Sequence, residues 1–509
     1  MKKLSIVLFV VLLLLSITNC KKNIEKIMPS DGVAINLVIN NNSKLDVDPP
    51  HTTFTNGDVI YVGYDGLYAG TITYNGTYFT GTITATLNGT QKLYFYLLGN
   101  KNPHESLVEG SSTECTVNIS NQINELPVLS MAASNEYYTG AGTYTAALDN
   151  KCGLVKFVPS IATANAIIIS GMKTTALINF ETHSITPTND IGDIISYSMS
   201  DTEKWAILLP QNNVENPNVK INSYDATISS VPTVTLNMYY PDGIAVSMTQ
   251  TGKLIGEFTV NNSGDKVHFS QGNLQYLGSS GAKWKLADNQ WTYLGNHGQG
   301  SISQNVDRDL FGWGTSGWNC GNEYYQPYCT NGSYASRYGP YGEYDLTGAY
   351  ANSDWGVYNK IVNGGNQAGL WRTMSKDEWN SILFDRTTAS NIHFAFAQVC
   401  GVKGVILLPD DWESSLFSLI DTDMSGSSYF NSNVISASEW HVLESYGAVF
   451  LPAAGERSAD VLTNIGSWGY YWTSSFYNSS RAYSYTFGNA LYGSDRFHGF
   501  AVRLVSDVQ

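Results

Sequence analysis

A chain of 509 residues is longer than one hydrophobic core serves, which sets the expectation at two to four domains. Only 14% of its residues are charged, tyrosine (33) and glycine (47) are abundant, and the formal net charge is -15. That balance excludes nucleic acid or anionic lipid as a partner recognised by charge, and it suits an extracellular, tyrosine-rich β protein.

Lys2 and Lys3 precede an apolar run at 6–15, the plan of a signal peptide and too short for a comfortable membrane span. The run stops at Cys20 after Ile17, Thr18 and Asn19, which resembles a bacterial lipoprotein signal with Ile17 and Asn19 in place of the usual leucine and small residue. The resemblance implies lipidation at Cys20 and an outer-membrane anchor that displays the chain at the cell surface or in a fimbrium. Each buried methylene of such a lipid contributes about 0.8 kcal/mol, so several acyl chains hold permanently. The alternative is cleavage nearby and release as a soluble secreted protein.

Two composition shifts divide the rest. All eight arginines lie at Arg308 or beyond, and eleven of twelve tryptophans lie at Trp284 or beyond, with only Trp205 earlier. The halves therefore have different cores, joined near 252–256. Short segments at 33–39, 59–64, 68–74, 78–87 and 92–98 are rich in Val, Ile, Thr and Tyr and are separated by Asn-Gly, Asp-Gly or Gly-Asn turns, which predicts a β-sandwich. A polar run at 121–133 breaks that rhythm. A second set at 144–148, 153–159, 166–170, 204–209, 233–238 and 252–258 predicts a second sandwich. The expected division is a signal at 1–20, sandwiches at 21–140 and 141–255, and an α+β domain at 256–509.

The order of a lipoprotein signal, a β-domain, the segment ELPVLSMA and then TYTAALDNKCGLVKFVPS resembles the fimbrillin group of Gram-negative anaerobes. That resemblance implies two transthyretin-like sandwiches and fimbrial partners joined by strand donation, in which an added strand completes an open sheet edge. Shaft subunits of the group are trimmed after an arginine in the first domain. No arginine precedes Arg308, which suits a cap, tip or anchor better.

The second half opens with GEFTVNNSGDKVHFSQGNLQYLGSSGAKWKLADNQWTYLG and continues with FGWGTSGW and LWRTMSKDEW, which resemble blocks in surface proteins of the same bacteria. It closes at 466–505 with YWTSS, an aromatic alternation through 482–487, and Gly499, Phe500, Ala501, Val502, Arg503. That ending resembles the C-type-lectin-like domains of the formylglycine-generating-enzyme and Fibrobacter-type major paralogous group. Ser375 with Glu378, and Ser436 with Glu439, have capping-box spacing, which predicts helices over 376–384 and 440–446, the second stopped by Gly447. Asp410 and Asp411 open a third predicted helix through Leu419, and a strand is expected over 448–452.

The resemblance raises the question of enzymatic function. Formylglycine-generating enzymes oxidise a substrate cysteine with two active-site cysteines that hold copper near the domain's end, and no cysteine lies after Cys400 here. A non-enzymatic chain with no catalytic residue is therefore expected. The alternatives are an oxidase of that type, a glycan-modifying enzyme with spatially paired carboxylates, and a standalone surface lipoprotein without a fibre partner. Asp421, Asp423 and Ser425, before Gly426, form the front of a calcium-type loop, but position twelve is Ser432, so a solvated turn competes with a structural calcium. Cys320 and Cys329 are close enough in sequence for a disulfide, Cys115 with Cys152 is a second option, and Cys400 reads as a buried small hydrophobe. Ligand contact is expected from Trp318, Tyr324, Tyr325, Tyr328, Tyr334, Tyr338 and Tyr341 in a glycine-rich loop, and from Trp468 and Tyr470. Aromatic faces with polar tips suit a glycan or a protein surface, against the alternative of a loop packing its own rings. Trp472 and Arg503 read as core, and His297, His441 and His498 are scattered without ligand spacing.

Overall fold

The structure is a computed structural model that describes residues 32–40, 53–86, 89–99, 106–295, 303–319, 325–328, 342–414, 417–420, 429–458, 460–487 and 489–508. It contains two curled eight-stranded sheets, sandwich-like in packing, followed by a region of short helices and smaller sheets.

The first sheet runs in the order Gly142–Ala146, Val33–Ile39, Phe79–Ile83, Leu67–Tyr74, Val59–Tyr64, Lys92–Leu98, Leu129–Tyr137 and Asp149–Asn150. Asp65 and Gly66, at φ 53 and 77, make the two-residue turn between Val59–Tyr64 and Leu67–Tyr74, the twist that right-handed strands require. Val33–Ile39 pairs antiparallel with Phe79–Ile83 and parallel with Gly142–Ala146, and it buries Ile35, Leu37 and Ile39. The run that broke the sequence rhythm is itself partly strand: Leu129–Tyr137 pairs with Lys92–Leu98. Its inward side chains include Ser130, Ala132 and Ser134, too small and polar to register as hydrophobic alternation. Ser134 is satisfied there, accepting from the Leu93 N–H at 3.1 Å and donating to the Glu136 carbonyl at 2.6 Å.

The second sheet runs Ile191–Ile195, Ile168–Lys173, Val219–Ile221, Tyr224–Thr227, Tyr239–Gln250, Gly153–Pro159, Glu203–Leu208 and Tyr197–Ser200. The strand expected at 233–238 is instead Tyr239–Gln250, with Val234 only bridged to Gln211. Pro241, Asp242 and Gly243 look like a turn in sequence, but a register shift against Gly153–Pro159 absorbs them, with Gly243 at φ 85. Of 252–258, only Phe258 enters a strand, because Gly252 at φ 71 turns the chain. A third sheet joins Glu114–Asn118 to Thr175–Asn179 and Ser184–Pro187, and one continuous core spans Ile35 to Val246. Cys115, opposite Ile178, and Cys152, whose thiol faces the Leu129 carbonyl, are free, so the Cys115–Cys152 pairing does not form.

Both capping boxes are present, opening helices Lys376–Asn380 and Ala437–Ser445. The first continues as a π turn over Ser381–Asp385 and buries Trp379, Ile382 and Leu383 together. The helix expected from Asp410 is absent among the described residues. Asp410 instead accepts from the Thr259 N–H and hydroxyl and pairs with the buried Arg386 at 2.8 Å, so its carboxylate is not available as a cap. Cys400 is half-buried rather than core: with Gly401 it forms a left-handed turn (φ 52 and 78) between Phe394–Val399 and Val402–Leu407.

Lys266–Phe269, near the start of this region, pairs with Leu504–Asp507 at its end. Beside them Arg503, 1% exposed, donates to Gln290 Oε1 at 2.7 Å and to the Phe450 carbonyl at 3.3 Å. Gln290 Nε2 in turn donates to Glu444 Oε1 at 2.8 Å. Burial pulls the Arg503 guanidinium down to about 10 and pushes the Glu444 carboxyl above its usual range. Between the usual and the raised Glu444 pKa, the folded state holds a proton that the unfolded state releases, so stability falls as pH rises through that window. Urea denaturation at pH values rising from the ordinary glutamate range is expected to show this slope, and Glu444→Gln to flatten it. Ser436→Ala, which removes a helix cap, is expected to cost about 1 kcal/mol in the same assay.

Candidate binding face of the C-terminal region

Tyr470–Phe476, Arg481–Thr486 and Asn489–Asp495 form an antiparallel sheet, and the chain then returns along Phe311 and Arg457. Trp472 is core: its indole N–H donates to the Phe311 carbonyl at 2.6 Å and its ring lies 4.5 Å from Phe500. From this buried pair a run of rings leads outward. Tyr470 stacks on Phe500 at 4.9 Å, His498 lies 5.7 Å from Phe500, and Phe497 stacks on His498 at 4.6 Å. Tyr470, Phe497 and His498 are half-exposed.

Gly499 sets this geometry. It exchanges backbone hydrogen bonds with Arg457 at 2.7 and 2.9 Å, and a Cβ there would sit 2.9 Å from that of Arg457. The close approach sends Phe500 inward and leaves His498 beside Glu456, with Nδ1 3.3 Å from a carboxylate oxygen. The other Glu456 oxygen accepts from Thr463 and Asn464, and Asn464 also donates to the Tyr470 hydroxyl at 3.1 Å. The His498 contact, with these hydrogen bonds, holds the Glu456 carboxyl below its usual value. The result is a set of flat apolar rings edged by a carboxylate, an imidazole and an amide, which serves stacking and directional hydrogen bonding.

The other expected ligand residues fall elsewhere. Trp318 faces Tyr325 at 5.2 Å, and Tyr325, 6% exposed, is buried with its carbonyl accepting from Gly317 N–H. Tyr328 is half-buried, as is Trp468, which packs against the core with Leu462 and Ile465. Trp468 does meet Asn464, its N–H donating to the Asn464 carbonyl at 3.0 Å, two residues before Tyr470. Cys20, Cys320, Tyr324, Cys329, Tyr334, Tyr338, Tyr341, Asp421, Asp423 and Ser425 lie outside the described residues. Among the described residues no three His, Cys, Asp or Glu side chains are grouped to hold a metal ion. Glu456, Asn464, Phe497 and His498 were not legible as a site, because the pairing that unites them is spatial. The one local signal was a glycine directly after two aromatic rings.

No family model and no curated protein matches the chain. Among solved structures, it is similar to a putative cell adhesion protein from Bacteroides uniformis (14% identity, 43% of this chain and 96% of that one, TM-score 0.30). It is also similar to a fimbrial protein from Bacteroides ovatus (12%, 93% and 99%, TM-score 0.24) and to the tip fimbrial protein Mfa3 from Porphyromonas gingivalis (11%, 42% and 98%, TM-score 0.25). Likeness at this level carries no argument about function. The geometry does make a local prediction: Glu456 should titrate below an ordinary glutamate by carboxyl NMR, and His498→Ala should move it back up.

Proposed function

We propose that the chain is a non-enzymatic, lipid-anchored surface adhesin, a tip or accessory subunit of a fimbrium. Its C-terminal domain, of C-type-lectin-like fold, binds a glycan or protein through the Tyr470–His498–Phe497 face. The observation that carries this is the run of rings leaving the core at Phe500 and ending half-exposed beside Glu456 and Asn464. The enzymatic alternative is weakened by the lack of any cysteine after Cys400, the part of the domain where a copper-holding pair would stand.

Strand placement supports a terminal position in a fibre. Val33–Ile39 is the first described strand, and its departure would expose the edges of Gly142–Ala146 and Phe79–Ile83 to a partner's strand. Tyr239–Gln250, in contrast, is held between Tyr224–Thr227 and Gly153–Pro159 and runs on into the C-terminal region, so it is not free to be donated. Such a subunit would receive a strand at that edge while Tyr239–Gln250 stays in its own sheet.

Three measurements test the parts separately. Tyr470→Ala with Phe497→Ala is expected to lower binding on glycan and host-matrix arrays at least tenfold; unchanged binding removes the face. Cys20→Ala is expected to shift the protein from the membrane to the soluble fraction. A chain lacking 21–40 is expected to capture a synthetic peptide of residues 32–40 that the full chain ignores, and equal binding by both would end the strand-exchange reading.

A further inference from the structure

We propose that the turn end of the sheet formed by Tyr470–Phe476, Arg481–Thr486 and Asn489–Asp495 carries a second binding site, centred on Tyr477, and that its ligand is a neutral pyranose ring with adjacent hydroxyls. The site is separate from the Tyr470–His498–Phe497 face and does not rest on that reading.

Strand register places its parts. Arg481 stands opposite Asp495 and Tyr483 opposite Gly493, so these four share one face of the sheet, while Tyr492, opposite Ser484, belongs to the other. Tyr477 joins the first face. Its ring meets that of Tyr483 edge-on at 5.1 Å and lies on Gly493, where a Cβ would come within 2.6 Å of the ring. Glycine at that position is what lets the ring rest against the strand backbone.

The ring is held from behind and open in front. Tyr483 is backed by the Lys376 ammonium, 5.2 Å from its centroid. The turn itself is fixed: Asn478 Oδ1 accepts the N–H groups of Ser480 at 3.0 Å and Arg481 at 2.9 Å. The Asn478 carbonyl accepts from Arg496, which is buried between the Trp313 and Tyr344 rings. Tyr477 is part of none of the hydrophobic cores of the described residues, and 48% of it is exposed. A flat apolar surface therefore faces solvent with little freedom to lose on binding.

The polar groups beside it suit hydroxyls. Arg481, whose carbonyl accepts the Tyr477 N–H at 2.9 Å, is joined to Asp495 by one hydrogen bond, from Nε to Oδ1 at 2.8 Å. That contact leaves both terminal guanidinium nitrogens as donors and Asp495 Oδ2 as an acceptor, with no other hydrogen bond to them among the described residues. Donors beside an acceptor match two adjacent sugar hydroxyls, each of which both accepts and donates, while the C–H face of the sugar covers Tyr477. Asp495 offsets the charge of Arg481, and Asp377, at 3.5 Å, that of Lys376, so neither an acidic nor a basic ligand gains a net attraction here.

Saturation-transfer NMR tests the site in the full chain carrying Tyr470→Ala and Phe497→Ala, so that the aromatic face contributes nothing. The probes are methyl glycosides of glucose, galactose, mannose and N-acetylglucosamine, with glucuronate and lysine methyl ester as charged comparators. At least one neutral glycoside is expected to bind saturably in the millimolar range. Tyr477→Ala and Asp495→Asn are each expected to weaken it about fivefold, whereas Tyr477→Phe, which keeps the ring, and Tyr492→Ala, on the opposite face, leave it unchanged. Should Tyr477→Ala lower the melting temperature, the surface change Asp495→Asn decides. No saturable binding of any neutral glycoside would overturn the proposal. So would binding that survives both Tyr477→Ala and Asp495→Asn, or tighter binding of either charged comparator.

Discussion

A positive charge held out of water organises the C-terminal region. Removing the Arg503 guanidinium from solvent costs several kcal/mol unless hydrogen-bond partners replace the lost water, and those partners come from segments far apart in the chain. Gln290 and the Phe450 carbonyl receive its N–H groups, and the Gln290 oxygen also takes the Phe450 N–H at 2.7 Å. Nearby, Asn273 donates to the Tyr471 hydroxyl, which donates to the Pro452 carbonyl. None of these groups is satisfied unless the others are in place, so the opening segment, the helix Ala437–Ser445 and the final strand are specified together. Through the Glu444 carbonyl and Asn222 the same network reaches the second β-sheet.

The consequence is a rigid support for surface features. The rings at Tyr470, His498 and Phe497 are half-exposed because Phe500 and Trp472 behind them are locked in the core. A recognition face built this way loses little freedom on binding, since its side chains are already held by stacking and by the Glu456 and Asn464 hydrogen bonds. The second β-sheet draws on the same support where Asn222 donates to the Glu444 carbonyl, beside the Tyr446 that caps the helix.

Strands 33–39, 59–64, 92–98 and 153–159 were legible because a half-buried or buried strand writes its identity into consecutive residues, and because turns such as Asp65-Gly66 punctuate them. The two capping boxes were legible for the same reason: a serine and a glutamate three apart satisfy each other's backbone within one turn. Leu129–Tyr137 escaped because its inward positions are serines and alanines, and Tyr239–Gln250 because a Pro-Asp-Gly bulge imitates a break. Asp410 misled because a helix-capping aspartate and a salt-bridging aspartate look alike until Arg386 and Thr259 are placed beside it.

By itself the sequence determined the class of architecture: strand-rich first half, α+β second half, and Trp472 and Arg503 as interior residues. Tertiary structure alone decided which side chains meet. Nothing in the spacing of Glu456 and His498, or of Asn222 and Glu444, encodes their contact, since local periodicity reports only which way a residue faces. Partners brought together by sheet pairing and burial are chosen by the packing of the whole chain.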